Sequence, residues 1–364
     1  MKKRALRRVL TGAAGAVLVC GVLAGCATPT GSTAGDSTPA DAMCPTPDTA
    51  GKITISMSSP LAVFAPLLLA LETDAFAGTG LEVTTEPLKS AEAIPLVARG
   101  ELDAQISSLS AAHFNTVDSG VAIKWIAPMD LQQEIPQGQP VAGYWARADL
   151  VGSATDPDLA ALRGARVSTP TGGGGISGLI LDNALSTVGL GIEDVNLTAP
   201  LVGPDALTGL INGSVDLAWV SAPLEVQAAQ HPELVPVAGY EPGVTGTSIL
   251  AGPGLLDRPE VTVKFLQVLR KVTERYLSGD YRKNPETVAL LAAAQETDEN
   301  TIRNAAPLTF DPEFGMDGAA QFAETFQEFS MTRGELEYAE PLDINRLVDT
   351  RFSEALQICA DTVG

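Results

Sequence analysis

The sequence predicts an α/β protein of two similar lobes, each a β-sheet covered by helices. Two observations carry this. From residue 51 onward, β-rich runs alternate with helix-like stretches of about ten residues, the pattern of β/α units around a parallel sheet. One stretch also recurs: residues 94–108 (IPLVARGELDAQISS) match residues 207–221 (LTGLINGSVDLAWVS). Each copy runs helix, glycine (Gly100 or Gly213), one further residue, an apolar residue, aspartate (Asp103 or Asp216), strand, and a serine at the carboxyl end (Ser108 or Ser221). The glycine suits a left-handed helix C-cap, and the aspartate is expected to cap or brace the start of the strand. Each copy is the third step of a β/α run, so the repeat implies twin lobes.

In the first run, Ile53–Met57 reads as a strand that ends in Ser58-Ser59-Pro60, and Phe64–Phe76 as a helix. Leu81–Thr85 is a second strand, Ala91–Arg99 a helix and Asp103–Ser107 a third strand. Ser110 is placed to cap the next helix, and Val121–Ala127 forms a fourth strand. In the second run, Leu162–Val167 leads into Ser168-Thr169-Pro170-Thr171, and a helix opens in Gly172–Ser177 and continues through Leu190. Strand Asp194–Leu197, helix Pro204–Ile211 and strand Asp216–Val220 follow. The turn-rich stretches 128–141 and 236–247 lie where the chain must pass between lobes. This divides the chain into lobe one, residues 51–140 plus 246–364, and lobe two, residues 141–245. Helix-patterned segments Val261–Leu277, Glu286–Ala294, Gly318–Phe329 and Ile344–Ile358 are expected to return to lobe one and brace the hinge.

The amino-terminal residues read as an export signal over residues 1–25. Lys2, Lys3, Arg4, Arg7 and Arg8 precede an apolar run, Leu10–Leu23, that is short and rich in Gly and Ala. The run ends in Leu23-Ala24-Gly25-Cys26, which resembles the lipobox of bacterial lipoproteins. That resemblance implies a diacylated Cys26 as the mature amino terminus, and hence an extracytoplasmic, membrane-tethered protein. An uncleaved anchor helix is the other reading, and the small residues before Cys26 argue against it. Residues 26–50, rich in Thr, Ser, Pro, Ala and Gly, read as a flexible tether. Five of the 23 Lys+Arg and none of the 44 Asp+Glu fall in the signal, so the remainder is more acidic than the full-chain balance of −21. Such a surface repels phosphate backbones, which excludes nucleic acid as a partner.

Of the four cysteines, Cys20 lies in the signal and Cys26 takes lipid. Cys44 and Cys359 remain, either bridged outside the cell or as two thiols. The chain has only two histidines, His113 and His231, and no Cys/His cluster has metal-ligand spacing. Neither a metal nor a cofactor is expected.

Over about residues 52–330 the sequence resembles the extracytoplasmic solute-binding proteins of nitrate/sulfonate/taurine-type ABC importers. The resemblance rests on Phe64-Ala-Pro-Leu-Leu-Leu-Ala with Gly80-Leu-Glu-Val83, on Gly100-Glu-Leu-Asp103, and on Leu162–Val167 with Gly189-Leu190 and Asp194-Val195. It implies a type II periplasmic-binding-protein fold, with a hinge of two crossovers and a ligand cleft between the lobes. It also implies a monomer that passes a small molecule to a permease and its ATPase. Glu72-Thr-Asp-Ala, where the family commonly carries a Lys/Glu-Gly pattern, and the Gly172–Gly175 run depart from it. Both departures bear on the ligand more than on the fold.

In doubly wound sheets, ligands sit beyond the carboxyl ends of the strands. Four loops meet that condition, and the expected ligand contacts come from them. They are Ser58, Ser59 and Leu61; Ser108, Ser110 and His113; Thr169, Thr171, Gly173, Gly174 and Gly175; and Ser221. Hydroxyls and free amides at helix starts suit a small anion or zwitterion, such as a sulfonate, taurine or nitrate. Helix capping is the competing role for each serine. His113 either donates to ligand or lies on a solvated face. Trp219 reads as core, and Trp125 and Trp145 as possible cleft walls. Asp130 and Glu241 read as exposed hinge acids that are also placed to meet a ligand amine.

Gly173, Gly175 and Gly178 satisfy G-x-G-x-x-G, but the loop lacks the lysine of a P-loop, and an exported protein has little access to dinucleotides. Two other functions stay in view. One is a ligand-sensing lipoprotein. The other is a pyrimidine-precursor binding protein or enzyme on the same fold, for which no G-x-S-x-G or paired-carboxylate signature stands out. No catalytic residue is assigned.

Overall fold

The computed structural model describes residues 38–133 and 141–363. The signal, Cys20 and the lipidation residue Cys26 lie outside the described residues.

Lobe one is built on a five-stranded sheet. In chain order its strands are β1 (Gly51–Met57), β2 (Leu81–Glu86), β3 (Ala104–Ser108) and β4 (Lys124–Pro128), joined much later by a strand over Thr247–Ala251. Helices α1 (Ala65–Glu72), α2 (Ser90–Ala98) and α3 (Ala111–Asp118) connect the first four. The chain then passes through β5 (Leu131–Gln132) into lobe two. There β6 (Gly143–Arg147), β7 (Arg166–Ser168), β8 (Asn196–Leu197), β9 (Leu217–Val220) and β10 (Leu234–Gly239) form the second five-stranded sheet. Helices α4 (Ile176–Ser186) and α5 (Pro204–Ile211) connect its parallel strands. The chain returns through β11 (Gly243–Val244) to β12 (Thr247–Ala251). Spatial orders are β2-β1-β3-β12-β4 and β8-β7-β9-β6-β10.

An all-parallel sheet was expected, and each lobe departs from it by one strand. β12 runs antiparallel to β3 and β4, and β6 antiparallel to β9 and β10. Geometry dictates this. The β/α strands end at the hinge, whereas a strand arriving from the other lobe starts there and must run the opposite way. β6 and β12 are those arriving strands. Proline at 236 had suggested a crossover beginning there; instead the chain stays in strand until Gly239. β10 is an edge strand, where a missing N–H is tolerated, and its register shifts between Pro236 and Ala238. The crossovers themselves are short: β5 and β11 pair with each other, and β5 also pairs with β13 (Leu308–Thr309), giving a three-stranded hinge ribbon.

The repeated aspartates do the same work in both lobes. Asp103 Oδ2 accepts from the Thr54 amide at 2.8 Å, while its own amide donates to the Thr54 carbonyl at 2.9 Å. Asp216 repeats both bonds with Arg166, each at 2.8 Å. Each carboxylate also pairs with an arginine, Arg258 and Arg166 respectively. The aspartate thus locks the register between the third strand and the first strand of each run. Gly100 and Gly213 adopt φ of +70° and +73°, the left-handed turn expected after each helix.

Helices cover both faces of both sheets. One core in lobe one joins Ile53, Ile55, Leu67 and Leu69 to Phe265 and Leu269 of α6 (Pro259–Tyr276). The other face packs Phe114 and Trp125 against Phe326 and Phe329 of α8 (Ala319–Thr332), beyond α7 (Pro285–Ala294). That second core takes in Ile176 and Leu179 of α4, so α8 ties the two lobes together. The segment Ile344–Ile358 is not one helix: a short 3-10 turn, Ile344–Arg346, precedes α9 (Arg351–Ile358).

The tether boundary also moves. Residues 40–43 form a 3-10 turn whose Met43 is fully buried in the lobe-one core. The buried Lys264 ammonium donates to the Pro47 and Thr49 carbonyls at 2.9 and 2.7 Å. Cys44 and Cys359 are joined in a disulfide, with Cα atoms 5.2 Å apart. Apolar Met43 and the Lys264 bonds give this stretch a folded position that its Pro/Thr/Ala composition concealed. No described helix is long and apolar enough to cross a membrane.

Candidate functional site

The two repeat serines flank one aromatic pair at the lobe junction. Ser108 ends β3 and Ser221 follows β9, each at a carboxyl strand end. Ser221 Oγ receives the Trp219 indole N–H at 3.1 Å, and Ser108 engages the Tyr240 hydroxyl. Trp219 and Tyr240 themselves stack edge to face, with centroids 5.2 Å apart, and Tyr144 continues the ladder 5.3 Å beyond Trp219. A serine from each lobe therefore flanks one aromatic pair.

Tyr240 was not anticipated as a site residue, and Trp219 was read as core. Trp219 is nearly buried, but its ring edge serves the junction rather than the interior of one sheet. Alternation within β9 could have signalled this, since Trp219 and Leu217 share a face while the hydroxyl follows two residues later. Trp125 and Trp145 are buried within their own lobes and wall nothing.

The hinge acids separate. Glu241 is exposed, whereas Asp130, expected to be exposed, is almost wholly buried between β4 and β5. Its Oδ1 accepts from Thr245 Oγ1 at 2.8 Å, and burial pushes its carboxyl up to about 7. Burial likewise pushes the Tyr240 hydroxyl above its usual range, with the Asp130 charge adding to the effect.

The glycine loop forms the second cluster. Gly175 bridges Ser110 in antiparallel fashion, and the Ala111 amide donates to the Gly174 carbonyl at 3.3 Å, so the loop of lobe two touches the start of α3 in lobe one. Thr169 is buried and its hydroxyl donates to the Gly172 carbonyl, while Thr171 is exposed with its hydroxyl beside Gly175. Gly178 is required for space: a Cβ there would lie 2.0 Å from the Gly173 carbonyl. The open face expected for an anion is lined by the protein's own side chains. The Arg333 guanidinium abuts Gly173 and the Glu335 carboxylate abuts Gly174, and the two pair at 3.0 Å. Arg333 and Glu335 follow α8, and no sequence pattern linked them to the loop.

Ser110 and His113 form a capping box. The Ser110 amide donates to His113 Nδ1 at 3.1 Å, and the hydroxyl lies 2.9 Å from the same nitrogen. His113 is fully buried, so it neither lies on a solvated face nor opens to solvent, and burial lowers its imidazole to about 4. Ser58 and Ser59 stand at the carboxyl edge of β1 but are exposed and make no side-chain hydrogen bond, and Leu61 packs partly on the lobe-one core. The structure thus brings Ser110 to Gly174 and Gly175, and sets Ser108 and Ser221 against the two members of the Trp219–Tyr240 pair. It leaves the Ser58 loop at the rim. Among the described residues no group of His, Cys, Asp and Glu is placed to hold a metal ion.

Two α/β lobes joined by paired crossovers, with the strand ends of both facing the junction, define the periplasmic-binding-protein fold, and the chain has this fold. It is similar to the alkanesulfonate-binding protein SsuA from Xanthomonas axonopodis pv. citri bound to MOPS, with 12% identity, TM-score 0.64, and 83% of this chain and 99% of that one covered. It is also similar to the periplasmic nitrate-binding protein NrtA from Synechocystis PCC 6803, with 14% identity, TM-score 0.60, and 87% and 91% covered. The desulfurization enzyme DSZB shares the fold as well, with 15% identity, TM-score 0.52, and 84% and 99% covered. No family model matches the sequence, and no curated protein matches it by sequence.

Proposed function

We propose that the protein is an extracytoplasmic solute-binding lipoprotein that captures a small organic anion or zwitterion by lobe closure and delivers it to an ABC permease. The observation that carries this reading is the placement of the twin strand-end serines, one per lobe, against the Trp219–Tyr240 pair at the lobe junction. A hydroxyl from each lobe flanks the aromatic edges of lobe two there, and the glycine loop touches the opposite lobe a short way along the same junction. Capture at micromolar concentration needs about −8 kcal/mol. Several hydrogen bonds at roughly 1–3 kcal/mol each, with some apolar burial, supply that after the cost of closure. The solutes in the similar structures, an alkanesulfonate protein holding MOPS and a nitrate-binding protein, support the class.

Lipid on Cys26 would hold the protein at the membrane, beside the permease. The test is a thermal-shift panel of alkanesulfonates, taurine, nitrate and pyrimidines on the full chain. Ligand at about 100 times its dissociation constant should stabilise by roughly 2.7 kcal/mol. A Cys26→Ala variant should lose partition into detergent. The DSZB likeness favours one second reading, an enzyme on this fold. Steady product formation from any panel member, in place of stoichiometric binding, would establish that reading instead.

A further inference from the structure

The basic residues of lobe two gather at one place. Residues 141–245 contain three arginines, Arg147, Arg163 and Arg166, no lysine, and eleven acidic residues. All three arginines line a single cavity of about 530 Å³. It lies at the pole of the sheet opposite the lobe junction: β6 ends there at Arg147, β7 begins there at Arg166, and the Asn212-Gly213 turn leads there into β9. About 17 Å of strand separates Asp216, on the cavity wall, from Ser221 at the junction.

The arginines differ in what they have left to offer. Arg166 is engaged in the framework, donating to the Ser214 and Gly213 carbonyls at 2.9 and 2.8 Å as well as to Asp216. Arg147 turns only one edge, Nε and Nη2, to Asp149. Its Nη1 rests against Gly213, 2.7 Å from where a Cβ would stand, and makes no hydrogen bond among the described residues. Arg163 gives Nη1 to Asp194 and leaves Nε and Nη2 without an acceptor among the described residues. Asn212 takes the Ser214 amide on Oδ1, and its Nδ2 is likewise unused. Three separate segments thus bring unused N–H groups to one cavity wall.

The wall carries three arginines and two aspartates, Asp149 and Asp216, so its net charge is positive in a lobe where acids otherwise prevail. Guanidinium forks from different directions suit an anion with several oxygens better than one more carboxylate. Asp149 is 67% exposed, and an exposed pair of this kind is weakly held, so a doubly charged anion can displace it from Arg147.

We propose that this cavity is a second binding site, for a phosphate group, separate from the solute site at the junction. The experiment titrates inorganic phosphate into the full chain by calorimetry, in chloride buffer at constant ionic strength. One saturable site is expected. Arg147→Gln/Arg163→Gln should weaken it at least about tenfold, because both unused forks are removed. Asp149→Asn should tighten it roughly threefold by releasing the Arg147 fork, and neither variant should move the melting transition, since exposed pairs add little to stability. Gly174→Glu, at the junction, should leave phosphate binding unchanged. A short-chain phosphatidylglycerol, titrated as monomer in the same way, separates the two sources of the group. Tighter binding than phosphate assigns a lipid headgroup, and weaker binding a free phosphate or small phosphate ester. Indifference of both probes to the arginine changes, weaker phosphate binding in Asp149→Asn, or loss of phosphate binding in Gly174→Glu would overturn the proposal. So would the absence of saturable binding by either probe.

Discussion

Breaking the Cys44–Cys359 bond should destabilise the protein without altering its fold. The bond closes a loop of 315 residues. Chain entropy alone then assigns it about 6 kcal/mol at 25 °C, and bonds of this kind commonly deliver 2–4 kcal/mol. Unfolding a body of roughly 320 residues at about 2.1 cal/mol/K per residue gives an unfolding entropy near 0.7 kcal/mol/K. A loss of about 3 kcal/mol therefore lowers Tm by roughly 4–5 °C, and the full entropic value by roughly 9 °C. The assay is thermal unfolding by circular dichroism and calorimetry of the wild type, the wild type with reductant, and Cys44→Ser/Cys359→Ser. All three should share one far-ultraviolet spectrum at 25 °C. The two bond-free samples should melt together, below the oxidised wild type. Buried Met43 and the Lys264 bonds to Pro47 and Thr49 remain when the disulfide is cut, so the native stretch should stay docked and the loss should arise mainly in the unfolded chain. Identical midpoints for all samples, or titration of both thiols in the untreated folded protein, would refute the argument.

Gly174→Glu sets a new carboxylate beside Glu335, whose Oε2 would lie 2.5 Å from the added Cβ. The flexible Glu335 side chain can step aside sterically, so thermal stability should fall by about 1 kcal/mol or less, while solute affinity drops at least about tenfold through like-charge repulsion at the lobe contact; an unchanged Kd would remove the glycine loop from the site. Burial raises Glu225 to about 7, with Oε1 accepting from the Ala306 amide at 2.8 Å. An acid with a raised folded pKa contributes stability that is complete below its unfolded value, near 4.5, and lost as pH rises through about 7. Glu225→Gln should therefore unfold at higher urea than the wild type at pH 8, by roughly 2–3 kcal/mol, with little gain at pH 4, and an equal effect at both pH values would contradict the assignment. His113 acts in the opposite sense, its contribution being present above pH 6.5 and lost toward pH 4, so that protonation favours unfolding on the acid side. Trp219 is the tryptophan at the junction, so Trp219→Phe should cost under about 1.5 kcal/mol in stability yet remove most of any solute-induced fluorescence change; retention of that change would place its source at Trp125 or Trp145.

The lobes were legible because they depend on local pattern. Strand and helix periods over 53–127 and 162–220, and the helix-Gly-apolar-Asp-strand-Ser repeat, are decided by which residues must be buried and which cap a helix. Asp103 and Asp216 could be singled out because a carboxylate near a strand start has few other tasks. The arriving strands β6 and β12 were harder to read. Gly143–Arg147 and Thr247–Ala251 carry no helix before them to mark a β/α step, and their direction follows from the hinge alone.

What the sequence by itself determined is the material of the junction: twin serines at strand ends and a glycine run at a helix start. Those are properties of short segments, governed by hydrogen-bonding geometry within a few residues. Only the tertiary structure decided what they meet. Tyr240 reaches Ser108 across 132 positions of intervening chain, Glu335 covers Gly174, and Asp130 is withdrawn from water by elements that follow it by more than a hundred residues. Burial and charge pairing depend on every neighbour in space, so no local pattern in the chain encodes them.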